Sequence, residues 1–168
     1  MRVKQRILFF YLILSLFAIT NCQRLQVSKK PNVLLICVDD LRPELKSFGA
    51  EYISSPNIDA FSEKSIKFQK HFVNAPSCGP SRYTLLTGQY GPAGNNAFFI
   101  RANKINQGTK KVNKSMPEWF KKHGYTTVSV GKVSHHPGGR GGNNWNDSTK
   151  IEIPNAWDKH LMPVAEWK

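Results

Sequence analysis

Three observations place this 168-residue chain in the α/β class, as a largely parallel sheet with helices on both faces. An unbroken run of branched apolar residues, Val33 to Val38, ends abruptly in two acids. A second run, Tyr125 to Val130, follows a capped helix and a glycine. Between them, Cys78-Gly79-Pro80-Ser81-Arg82 carries the proline mark of a helix start. Short apolar runs without alternation read as strands buried on both faces, and such strands alternating with helices build parallel sheets.

The first 22 residues stand apart from that domain. Arg2, Lys4 and Arg6 precede an almost continuous apolar stretch from Ile7 to Ile19, and Thr20-Asn21-Cys22 follows. This is the pattern of a secretory signal, too short for a comfortable membrane span. Gln23 to Lys30 is polar without an apolar period and reads as a linker, so the domain is taken as residues 31–168. With 40% hydrophobic and 21% charged residues, the chain is globular in composition. Its formal charge of +13 becomes +10 when residues 1–21, with three bases and no acid, are removed. Such a balance favours polyanionic partners, although Lys and Arg scattered this evenly also suit an ordinary soluble surface. No zinc-finger spacing, aromatic RNA-binding motif or basic helix is present, so no nucleic-acid partner is expected. Cys37, inside an apolar run, reads as a small buried hydrophobe in preference to half of a Cys37–Cys78 disulfide.

The elements follow in order. The strand at Val33 delivers Asp39-Asp40 to its carboxyl end, where open α/β sheets bind ligands. Successive strand side chains point to opposite faces, so both acids can hold one ion only if the chain bends, and Leu41-Arg42-Pro43 supplies a break. Carboxylates are hard ligands suited to Ca²⁺ or Mg²⁺. Standing alone, the pair would equally suit a solvated turn. Ser55-Pro56 begins a helix through Ile58 and Phe61, and a strand is expected at Ile66-Lys67-Phe68, running toward Phe72-Val73. The helix at Cys78 offers unpaired N–H groups and a positive dipole to an anion, with Arg82 one turn on.

Gln89 to Lys114 is polar apart from Ala97-Phe98-Phe99-Ile100 and reads as a loop over the site or a recognition insert. Ser115-Met116-Pro117-Glu118 is a capping box, its helix stopped by Gly124 before the Tyr125 strand. Gly131 to His136 leave that strand at the position equivalent to Asp39-Asp40, and Gly138 to Asn146 is loop. Trp145, Trp157 and Trp167 suit packing better than stacking on sugars.

Cys78-x-Pro80-Ser81-Arg82, continuing to Leu86-Thr87-Gly88, resembles the sulfatase signature, whose cysteine is oxidised to formylglycine. Pro31-Asn32-Val33 leading to Asp39-Asp40 is similar to the family's first strand and metal motif, and Pro56-Asn57-Ile58-Asp59 also matches. Gly131-Lys132-Val133 with His135 looks like the iduronate-2-sulfatase branch, with His136 as the rival assignment. Ile19 to Cys22 resembles a lipoprotein signal, with Cys22 as a possible lipid anchor and the only expected tie to a membrane.

The resemblance implies an alkaline-phosphatase/sulfatase-like fold, present in its N-terminal part. It implies Cys78, Arg82, Lys132 and His135 as catalytic residues and Asp39, Asp40 and modified Cys78 as ligands of Ca²⁺ or Mg²⁺. A formylglycine-generating enzyme would be a partner, and a sulfated carbohydrate, in the narrow branch a 2-O-sulfated uronic acid of a glycosaminoglycan, the substrate. The location would be exported: periplasmic, lipid-anchored, secreted or lysosomal. The family's later Asp-Asn or Asp-His pair is not found after Asn146, and Asp158-Lys159-His160 comes too soon to take its place. A truncated or degenerate remnant that binds sulfated polyanions is therefore the alternative. A cysteine-dependent phosphatase ranks third, since those enzymes use a longer cysteine-to-arginine loop and need no Asp39-Asp40.

Overall fold

The computed structural model describes residues 30–108 and 112–161. The export signal, Cys22, most of the linker and Trp167 lie outside them. Among the described residues no helix is long and apolar enough to cross a membrane. The compact unit begins at Cys37. Its helices are α1 (Pro56–Ser62), α2 (Cys78–Thr87), α3 (Ala97–Asn106) and α4 (Met116–Lys122). Its strands are β1 (Val128–Ser129), β2 (Arg140–Gly141), β3 (Asp147–Ile151) and β4 (Lys159–His160).

α2 begins where proline allows and ends at Gly88, whose φ of 66° is the left-handed conformation glycine adopts at little cost, with its N–H on Thr84 O at 2.8 Å. α4 has the expected capping box in full. Ser115 Oγ accepts the Glu118 N–H, and the Glu118 carboxylate accepts the Ser115 N–H at 2.6 Å.

The core is formed by Tyr83 and Leu86 of α2, Ala97 and Phe98 of α3, and Ile153 and Ala156, with Met116, Val133 and Trp157 against it. Tyr83 and Phe98 meet at 5.3 Å between ring centroids. The Ala97-Phe98 patch, expected in a loop, is thus the first turn of a helix that supplies the core. Its polar neighbours concealed a period that only Ala97, Phe98, Arg101 and Ala102 carry inward.

β1 and β4 pair in parallel, with Val128 opposite Lys159 and Ser129 opposite His160. Asp158 staples this pair. It accepts from Thr127 N at 2.8 Å and from Lys121 Nζ at 2.8 Å, and these bonds, the lysine's foremost, hold its pKa down at about 2. Asp158 is therefore an anchor between α4 and β1. Helices with a parallel strand pair make the chain α/β, as expected. The glycine-rich stretch after Gly138 is more ordered than a loop: β2 and β3 form an antiparallel pair.

Two expected strands do not form. Residues 33–38 carry no regular secondary structure, and Val33, Leu34 and Ile36 are 60, 85 and 74% exposed. Residues 66–68 are also unpaired, and Ile66, Phe68 and Phe72 lie exposed. An apolar run becomes a strand only when a neighbour takes up its N–H and C=O groups, and the described residues supply none here.

Candidate active site

The chain bends at the two aspartates as convergence on one ion requires. Asp40 has φ of 52°, a left-handed conformation that Asp tolerates better than most residues, inside a turn. Donor atoms of Asp39, Asp40 and Cys78 consequently lie within 4.8 Å of one another. Cys78 Sγ is 3.3 Å from Asp39 Oδ1. The thiol opens α2, and Gly79 behind it is required by space. A Cβ there would stand 2.6 Å from Asn95 Cα. The Gly79 N–H donates to Asn95 Oδ1 at 3.3 Å, and Pro80 has none, so the first turn offers a ligand its dipole more than free donors.

Arg82 is buried and makes three bonds. One terminal nitrogen donates to Asp39 Oδ1 at 3.0 Å, and the other to the carbonyls of Lys132 and Val133, each at 2.9 Å. It thus frames the site, where the sequence had suggested a free anion contact. Lys132 Nζ, brought in after β1, bonds the other Asp39 oxygen and comes within 3.8 Å of Cys78 Sγ. Hydrogen bonds from Lys132 first and Arg82 second hold the Asp39 carboxyl far below the usual carboxylate range. Its side chain is still 38% exposed, so water screens these pairs and leaves the carboxylate accessible.

His135 occupies the same loop as Lys132 without hydrogen bonding to Asp39, Cys78, Arg82 or Lys132. Its Nδ1 is buried and has no hydrogen-bond partner among the described residues. Burial, then His136, with smaller effects from Lys132 and Arg82, pushes its pKa below the ordinary histidine value, against the pull of Glu152. The ring is neutral near pH 7 and able to take a proton. His136, the rival, faces away onto Glu152 and Phe99. Cys37 and Cys78 are both free thiols. Trp157 packs on the core. Glu152 was missed in the sequence, where its only signal is a carboxylate between two isoleucines.

The four charged side chains nearest Cys78 balance, two acids against two bases. The two carboxylates suit a hard divalent cation, which would leave the centre positive and receptive to an anion.

Comparison with known proteins agrees with this arrangement. The family model described as Sulfatase matches residues 31–160. Human and mouse iduronate 2-sulfatase are 42% and 41% identical to the chain over 107 residues, 64% of it. A sulfatase of Formosa agariphila is 34% identical over 121 residues, 68% of the chain and 24% of that protein. The chain spans about a fifth of the length of the iduronate 2-sulfatases, 19% of each. No solved structure matches. The chain belongs to the sulfatase family, of which it carries the N-terminal region.

Proposed function

We propose that this centre hydrolyses sulfate esters of a sulfated carbohydrate, through formylglycine formed from Cys78. The observation that carries the reading is the junction of Cys78, Asp39, Arg82 and Lys132 at the start of α2. Formylglycine, once hydrated, supplies a hydroxyl able to attack sulfur and a second able to release the sulfate, and a bound cation supplies acidity and alignment. Asp39 and Asp40 are the residues that would hold the cation, with Ca²⁺ the better candidate and Mg²⁺ the other. Lys132 approaches the thiol position closely enough to neutralise a sulfate oxygen. Arg82 keeps Asp39 and the Lys132 backbone in register. His135, neutral and on the same loop, would take the proton of the remaining hydroxyl as sulfate is expelled and the aldehyde is restored.

Likeness to the iduronate 2-sulfatases supports a 2-O-sulfated uronic acid, carried in our reading by a glycosaminoglycan, as the substrate. Conversion of Cys78 would require a formylglycine-generating enzyme as partner, and the basic and apolar N-terminal stretch is the ground for an export route. A second reading, binding of sulfated polyanions without turnover, is favoured by one observation. The described donors number fewer than the six to eight oxygens that Ca²⁺ takes.

The test is release of inorganic sulfate from a 2-O-sulfated uronic acid disaccharide, by the full chain co-expressed with a formylglycine-generating enzyme. Calcium-dependent release that Cys78→Ala abolishes is expected. Retention of the disaccharide without sulfate release would favour the binding reading.

A further inference from the structure

Glu152 follows β3 directly and is fully buried, a setting a carboxylate occupies only when its oxygens are bonded. Both are. Oε2 accepts the His136 backbone N–H at 2.8 Å, and Oε1 faces His136 Nδ1 at 3.1 Å. The Glu152 backbone N–H donates to Gly139 O at 2.9 Å, closing the far end of the loop that carries Lys132 and His135. Arg82 holds the near end through the Lys132 and Val133 carbonyls. The loop therefore hangs between two buried side chains, Arg82 and Glu152.

Within it the rings of His135 and His136 meet edge to face, with centroids 4.7 Å apart and planes at 83°. Phe99 backs His136 at 5.2 Å. Oε2 already accepts the His136 backbone N–H, and with Oε1 taken as an acceptor as well, the contact places a proton on His136 Nδ1 and fixes the rotation of that ring. His135, whose own Nδ1 has no hydrogen-bond partner, takes its orientation from the ring beside it.

We propose that Glu152 is a positioning residue for the sulfate-ester site: it locks His136, and through the His136 ring it sets His135 on the loop of Lys132. The role in turnover rests on the sulfatase reading; the lock itself does not.

The test uses the full chain with ¹⁵N-labelled histidine, beside Glu152→Gln and Glu152→Asp. In the wild-type spectrum, neutral His136 is expected to be protonated at Nδ1. Glu152→Gln should lose that signature and shift the His135 resonances. It should lower kcat about 10–100-fold while KM stays within about 3-fold, and Glu152→Asp should recover part of the loss. A neutral His136 protonated at Nε2 in the wild type overturns the proposal, even if the glutamine variant fails to fold. So do histidine spectra that Glu152→Gln leaves unchanged, or a loss confined to KM. The predicted signature in a wild-type chain that releases no sulfate would count against the sulfatase reading while supporting the lock.

Discussion

Arg82 and Arg101 are nearly equally buried, 7% and 3% exposed, and each pairs with one carboxylate and with backbone carbonyl. What differs is the acid. Glu118, opposite Arg101, is 10% exposed. Its carboxylate also takes the N–H and hydroxyl of Ser115, at 2.6 and 2.7 Å. Burial works against its charge, but the bonds from Ser115 and Arg101 outweigh that and lower its pKa. Three donors converge on its Oε2, and it caps α4. Asp39, opposite Arg82, is 38% exposed and faces a thiol and a lysine that can exchange it for another anion. The same ion-pair chemistry builds a fixed joint in one place and a receptive centre in the other, and solvent access to the acid separates the two.

Cys78→Ala breaks the comparison most sharply at the open site. Sulfate release should vanish while the melting temperature changes little, because the thiol is at the surface of the core and not in it. At the closed site the expected loss is of stability. Arg101→Met leaves Glu118 buried without its cation and should cost about 3–5 kcal/mol in urea unfolding, with kcat per folded molecule unchanged. Lys132→Met should lower kcat/KM by about 10²–10³, the usual loss for one donor to a developing anion, with the fold intact. Ser115→Ala removes the cap hydroxyl and should destabilise the chain by about 1 kcal/mol.

The smallest effect sharpens the assignment of His135. Its lowered pKa keeps the base form to more acidic pH, so the acidic limb of the pH–rate profile should lie below about 6.5, the free histidine value. The sign for stability is the same. As pH falls from about 6.5 through the folded pKa, the unfolded chain takes up the proton first and stability declines. A limb above that value would remove His135 as the base.

Much of the site was legible because its parts are local. The turn at Asp39-Asp40, the proline-marked start of α2, the Ser115 capping box and the Lys132 loop each depend on residues a few positions apart. What stayed hidden depends on distant partners. Val33 to Val38 and Tyr125 to Val130 have the same strand-forming composition, yet only the second pairs, because Asp158 holds Thr127 and brings Lys159 and His160 alongside. Arg82 looked like an anion contact since its binding of the carbonyls 50 and 51 residues away leaves no trace in sequence. Glu152 was hidden for the same reason: its partner, His136, lies 16 residues away, across β2 and β3.

The central claim is that residue 78 acts as formylglycine in a sulfate-ester centre, and the mass of the peptide containing it tests this most directly. The chain would be produced with a formylglycine-generating enzyme, digested and weighed. The account predicts a species in which the thiol and one hydrogen have been exchanged for an aldehyde oxygen, appearing together with sulfate release. An intact cysteine in a chain that still releases sulfate would contradict it.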